Sequence, residues 1–175
     1  DLGGWRGSLF GMVAGALMAM IEAPGQRPPA AGDDNGAPSI PKEFHLLAAL
    51  AFAPAAWRLS SRDDFIGWAE EHRMENLRYV LNNARFLILP WIRLPNLASR
   101  ILGGITRQLV LDWEQRYHYR PVLLETFVQT DRFTGTCYKA ANWKCVGTTQ
   151  GYSLYGKIQK RQTPEKAVFV YPLTK

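Results

Sequence analysis

Apolar positions along the chain follow two different rhythms. Leu97, Ile101, Ile105, Leu109 and Trp113 recur every four residues, the spacing that lines one face of an α-helix. Asn96 stands just before them, and its side-chain oxygen can accept an orphan backbone N–H at a helix start. Continuous apolar runs give the other signal. Phe86-Leu87-Ile88-Leu89 and residues 122–128 (VLLETFV) read as strands buried on both faces, the first of which must bulge, splay or end at Pro90. Residues 46–52, Cys145-Val146-Gly147 and residues 167–171 (AVFVY, closed by Pro172) read as further strands. Phe65-Ile66-Gly67-Trp68 resembles a short strand. Residues 70–82 read as a helix carrying Leu77, Val80 and Leu81 on one side, and residues 134–143 as a short helix after a turn. Strands alternating with helices predict an α/β fold with a mixed sheet.

The amino-terminal part is organised differently. Residues 9–21 (LFGMVAGALMAMI) are apolar but shorter than the ~20 residues that span a bilayer, so a core helix is expected and no membrane association. Residues 24–41 are dense in Pro, Gly, Ala and Asp, which marks a linker. The expected organisation is a helical lead segment at 1–30, a linker at 31–41 and an α/β domain at 42–175. The chain starts at Asp1 rather than Met, which reads as part of a longer polypeptide.

Composition narrows the class. The 175 residues are 47% hydrophobic and 21% charged, which excludes wholesale disorder and fibrous architectures. The net charge of +6 is unevenly placed. Residues 1–84 carry 7 Lys and Arg against 10 Asp and Glu, and residues 85–175 carry 14 against 5, so the halves stand at −3 and +9. A basic carboxy-terminal half suits an anionic partner such as nucleic acid or a phosphorylated cofactor. Cys137 and Cys145 lie eight positions apart, which matches neither a metal pair nor a redox motif; they read as free thiols of a reducing, cytoplasmic compartment. Three scattered histidines with no ligand spacing argue against a metal. His118, at the end of the long helix, is favoured there by the macrodipole when protonated.

Four places could carry chemistry. A helix that follows a strand presents free N–H groups and a partial positive charge, a natural anion site, with Arg93 before it and Arg100 one turn in. Glu125 sits inside an apolar strand, where a carboxylate either pairs with a basic group or acquires a raised pKa suited to proton transfer. Residues 134–147 (TGTCYKAANWKCVG) gather Cys137, Tyr138 and Asn142; the phenol could act as an acid, and the thiol as a nucleophile only with a lowered pKa. Lys157, Lys160, Arg161 and Lys166 alternate with aromatic residues between 152 and 166, a pattern suited to phosphate backbones and unpaired bases. P-loop, G-x-S-x-G, H-E-x-x-H and G-x-G-x-x-G signatures are absent from the sequence.

The strings AAWRLSSRDDFIGW, NNARFLILPWIRLPNLASRILG, RYHYRPVLLETFV, RFTGTCYKAANW and VGTTQG resemble the DruA family, proteins of the Druantia anti-phage system that also occur as domains of transposase-like proteins. The resemblance covers residues 55–173, and a weaker one over residues 5–29 is to the family's small helical, winged-helix-like lead segment. It implies a DNA-associated protein of a phage-defence or mobile-element system, with nucleic acid and proteins of that system as partners. The chain departs from the family twice: residues 38–52 lack a Tyr-His-Tyr-Leu-Gly element, and Tyr152-Ser153-Leu154-Tyr155 replaces an Arg-rich string. The order of elements is also similar to that of GNAT acyltransferases, where a strand leads into an R/Q-x-x-G-x-G/A loop and a helix that hold the pyrophosphate of coenzyme A. Arg93-Leu94-Pro95-Asn96-Leu97-Ala98 fits that spacing, with Asn in place of the first Gly. This second resemblance implies a GNAT-like core in which Arg93, Asn96, Leu97, Ala98 and Ser99 hold coenzyme A. Glu125 would then deprotonate an amine and Tyr138 protonate the thiolate, with Asn142 nearby. A non-catalytic partner-binding module is the third reading. The mechanistic readings share one expectation: the chain turns after Trp91 so that free amides line a cavity shared with the neighbouring strand.

Overall fold

The computed structural model describes residues 6–13, 16–24, 44–149 and 164–174. In chain order the elements are β1 (Arg6–Val13), β2 (Ala16–Pro24), β3 (Phe44–Pro54), α1 (Ser60–Ile66), α2 (Glu70–Asn76), a 3-10 turn (Leu77–Tyr79), β4 (Val80–Ile88), α3 (Leu97–Tyr117), β5 (Leu123–Gln129), α4 (Thr136–Ala140), β6 (Lys144–Thr148) and β7 (Lys166–Pro172). The strands form one seven-stranded sheet in the order β1-β2-β3-β4-β5-β7-β6. Every neighbouring pair is antiparallel except β4 and β5. The mixed α/β class is the one the alternating patterns predict.

Residues 9–21 correct the expectation of a helical lead segment. They contribute to β1 and β2, which pair from Arg6↔Glu22 to Val13↔Ala16, and β2 continues onto β3 from Leu17↔Phe52 to Pro24↔Phe44. Gly11 and Gly15 weaken a helix of this length. Strands here also satisfy the backbone of β3, which would otherwise form an open sheet edge. The described residues of the lead segment, 6–13 and 16–24, therefore belong to the same sheet as β3 to β7. The predicted linker at 31–41 lies outside the described residues.

Two further boundaries move. Phe65 and Ile66 end α1 rather than starting a strand, because Gly67 takes the left-handed conformation (φ 80°) and its N–H donates back to Asp63 O at 2.9 Å, a helix-ending geometry that glycine adopts freely. The helix expected at 70–82 stops at Asn76, and Val80 already belongs to β4.

Helix α3 follows its sequence pattern closely. Leu97, Ile101, Ile105, Leu109 and Trp113 are all buried against one face of the sheet, with Leu50 and Phe52 of β3, Leu81 of β4, Leu124 of β5 and Phe169 of β7. Tyr138 and Trp143 complete this layer. The opposite face is smaller, built from Leu59, Val80, Leu123, Val168 and Val170. Along β5 and β7 the two sets alternate, as the two-residue period of a strand requires. β4 differs from the expected doubly buried strand: its amino-terminal half is buried, whereas Leu87 is 53% exposed. The cause is the way β4 leaves its parallel neighbour.

Candidate functional site

β4 and β5 pair over three positions only, Val80↔Leu123, Leu81↔Leu124 and Asn82↔Glu125. Beyond them β4 stays with β3 as far as Ala48↔Ile88, and β5 stays with β7 as far as Gln129↔Lys166. The parallel strands thus diverge towards their carboxyl ends. A bulge starts the divergence: the register with β3 shifts between Ala51↔Arg85 and Phe52↔Asn83, leaving Ala84 as the extra residue. The buried Asn83 side chain fixes that bulge by donating from Nδ2 to Ala51 O (3.2 Å) and Arg85 O (3.0 Å). Thr126 bridges the gap just past the last ladder pair, its hydroxyl donating to Asn83 O at 3.0 Å. From α4, the Tyr138 phenol donates to Asn83 Oδ1 at 2.8 Å.

The space between the diverging strands is a cleft of about 680 Å³. Residues 83–86 of β4 and 126–129 of β5 wall it, and residues 132–138 close one end. In open sheets, crevices at the carboxyl ends of strands are where ligands bind. The cleft is cationic: Arg85, Arg132 and Lys166 line it, and none of its described lining residues is a carboxylate. Phe133, 59% exposed, stands at its rim with the Arg132 guanidinium 5.5 Å from the ring centroid.

A second cavity of about 350 Å³ adjoins it at the start of α3. Asn96, Leu97, Ala98 and Ser99 line this cavity, and Ile88, Ala98, Thr136 and Cys137 line both. The chain turns at Pro90 and Trp91 rather than after them, and the start of α3 walls a cavity with Ile88 of β4 and Thr136, Cys137 and Ala140 of α4, not with β5. Helix geometry leaves the Ala98 and Ser99 N–H groups without intrahelical acceptors. Asn96 corrects a detail. It lies in the left-handed region (φ 57°) and makes no side-chain cap; its carbonyl instead accepts from Arg100 N–H (3.1 Å) and the Ser99 hydroxyl (3.0 Å). Arg93 is exposed and lines neither cavity.

The proposed catalytic trio of Glu125, Tyr138 and Asn142 does not converge. Glu125 and Thr126 are consecutive strand residues and face opposite sides of the sheet. Tyr138 shares the side of Thr126, so Glu125 lies on the opposite face of the sheet from Tyr138 and does not line the cleft. There its carboxylate is fully buried and accepts from Ala56 N–H (2.8 Å) and Arg62 Nη1 (2.8 Å). Arg62, also fully buried, donates from the same Nη1 to Ala56 O (2.8 Å) and from Nε and Nη2 to Asp63 Oδ1 (2.9 and 2.7 Å). The ion pair therefore holds both backbone polar groups of Ala56 and fastens the loop between β3 and α1. Burial pushes the Glu125 carboxyl above its usual range, against the opposing pull of Arg62. Of the two meanings a buried strand carboxylate can have, pairing with a base is the geometry found.

Burial likewise raises Tyr138 to about 12 and pushes the Cys137 thiol up. A high thiol pKa leaves little nucleophilic thiolate, and Cys137 and Cys145 are both free. Asn142, at φ 64°, is an exposed turn residue after α4 and lines neither cavity. Lys166 lies at the cleft. Lys157, Lys160 and Arg161 fall outside the described residues. Among those described, no group of three or more His, Cys, Asp and Glu is placed to hold a metal, and no helix is long and apolar enough to cross a membrane.

The family model for Druantia protein DruA matches residues 40–172, most of the chain and every element from β3 to β7. The chain belongs to the DruA family. Membership ties it to the Druantia anti-phage system. No curated protein matches it. The matched span of this DruA protein contains both cavities and the Arg62–Glu125 clamp. Arg85, Arg132, Phe133, Asn83 and Arg62 were not singled out from sequence. A usable signal existed for the first two: basic residues near the carboxyl ends of consecutive apolar strands point to the crevice side of a sheet.

Proposed function

We propose that this DruA protein acts in phage defence by holding a phosphorylated DNA strand in the cleft between β4 and β5. One observation carries the reading: Arg85, Arg132 and Lys166 all line one cleft, with no carboxylate among its described lining residues. Cations that line one cleft together form a local field that attracts phosphates. The +9 charge of residues 85–175 independently favours an anionic partner. Family membership supplies the context of phage defence. Binding measured across a salt series tests the reading. Affinity should fall steeply as salt rises, because each neutralised phosphate releases counterions; affinity indifferent to salt would remove the electrostatic case.

A second reading, transfer of an acyl group from coenzyme A on a GNAT-like core, draws support from β4 leading into the cavity lined by residues 96–99 at the start of α3. The N–H groups of Ala98 and Ser99 at the start of α3 supply donors for a pyrophosphate, but apolar side chains wall most of this cavity and no Lys or Arg lines it. The catalytic half of that reading lacks its base, because Glu125 is clamped by Arg62 on the far face. Coenzyme A should therefore raise the melting temperature, if it binds, without an accompanying transfer to amines. Absence of any shift at millimolar ligand would count against this reading.

A further inference from the structure

The two cavities divide their chemistry. Cations line the larger, while the smaller is walled chiefly by apolar groups, among them Ile92, Leu94 and Ala140, with Asn96 as its amide-bearing residue. That division suits the phosphate and the base of one nucleotide. At about 680 and 350 Å³ the cavities lie in the range of pockets that enclose a single small molecule. A duplex, whose bases are read by elements entering its grooves from outside, does not enter such a space.

Asn96 supplies the discriminating feature. Its backbone carbonyl is engaged by Arg100 and Ser99, but its side chain makes no capping bond. Asn96 is an exposed residue of the smaller cavity's lining, and its carboxamide offers one donor and one acceptor face. Such an amide pairs with the edge of a base. Phe133, exposed at the rim of the larger cavity, adds an aromatic face on which a neighbouring base can stack.

We infer that the site takes an unpaired nucleotide of a DNA strand. The base lodges at the start of α3 against the Asn96 amide, and the flanking phosphates lie on Arg85, Arg132 and Lys166. This rests on reading the cleft as a DNA site and goes further by naming the form of DNA. A strand must be single, frayed or opened to present such a nucleotide.

The test uses the whole chain, a labelled single strand, the same sequence as a blunt duplex, and coenzyme A as competitor. Asn96→Gly is the informative variant, because glycine adopts positive φ without cost and the fold should be kept; its melting temperature is the control. The single strand should bind about tenfold tighter than the duplex. Asn96→Gly and Phe133→Ala should each weaken single-strand binding by about fivefold or more, on the scale of one lost base contact, and leave duplex binding unchanged. Equal or tighter duplex binding, or unchanged single-strand binding in both variants, overturns the inference while the DNA reading survives through its salt dependence. No binding of either form overturns both. Displacement of the strand by coenzyme A at lower concentrations than by unlabelled strand would assign the nucleotide chemistry to a free cofactor, and so overturn the inference too.

Discussion

The Arg62–Glu125 pair is the sharpest place to test whether the far face of the sheet is a structural clamp. Both side chains are fully buried, and between them they engage Asp63 and both backbone groups of Ala56. Glu125→Leu leaves the guanidinium with Asp63 and a carbonyl as its acceptors and strips the Ala56 N–H of its own. Arg62→Met leaves a buried carboxylate with one backbone donor. Each single change should cost about 3–5 kcal/mol, the range for breaking a buried pair by removing one partner. For a chain of this length that lowers the melting temperature by roughly 6–20 °C. The double variant removes both charges and leaves the Ala56 groups and Asp63 Oδ1 without these partners, about 1–3 kcal/mol each when buried, and the loss at Asp63 is shared with Arg62→Met alone. It should therefore be less destabilised than the sum of the singles by at least about 2 kcal/mol. Urea denaturation of the four proteins closes the cycle. Costs that add to within about 0.5 kcal/mol would show that the two residues do not act as a pair, and would refute the clamp.

Further outcomes follow from other details. Because burial holds the Glu125 carboxyl above its usual 4.5, its contribution to stability is fullest below that pH and is lost as pH rises through the folded value. Glu125→Gln should lose this part of the pH dependence in denaturation measured from pH 4 to 8. Tyr138→Phe leaves Asn83 Oδ1 without its 2.8 Å donor and should cost about 1–3 kcal/mol; in the wild type, ultraviolet titration should find a tyrosine ionising near 12. Gly135, at φ 70°, has the Phe169 ring 2.6 Å from where a Cβ would stand, so Gly135→Ala should lose about 2–4 kcal/mol in thermal melts from backbone strain and overpacking together.

What could be read from sequence was whatever depends on local repetition. The face of α3 was legible because Leu97, Ile101, Ile105, Leu109 and Trp113 meet a continuous layer of sheet, so burial follows the helical period. β5, β7 and the short α4 were legible for similar reasons. The hairpin of β1 and β2 was hidden because a short apolar run has no intrinsic choice between helix and strand; the free edge of β3 decides it. The cleft was hidden because it depends on a bulge held by Asn83, Thr126 and Tyr138, residues separated by up to 55 positions. Glu125 showed its polarity in sequence but not its partner, since Arg62 lies 63 residues away. The helix start at Asn96 was seen as an anion site, yet the cations of the adjoining cleft, Arg85 and Arg132, come from within β4 and from the loop after β5.

The most direct measurement is the slope of log affinity for single-stranded DNA against log salt, in the wild type and in an Arg85→Gln/Arg132→Gln/Lys166→Gln triple variant. If these three side chains meet three phosphates, the triple variant should have a slope shallower by about 2, since each phosphate contact on a single strand contributes roughly 0.7. Its melting temperature should stay near that of the wild type. An unchanged slope in a folded triple variant would place DNA elsewhere and contradict the assignment of the cleft.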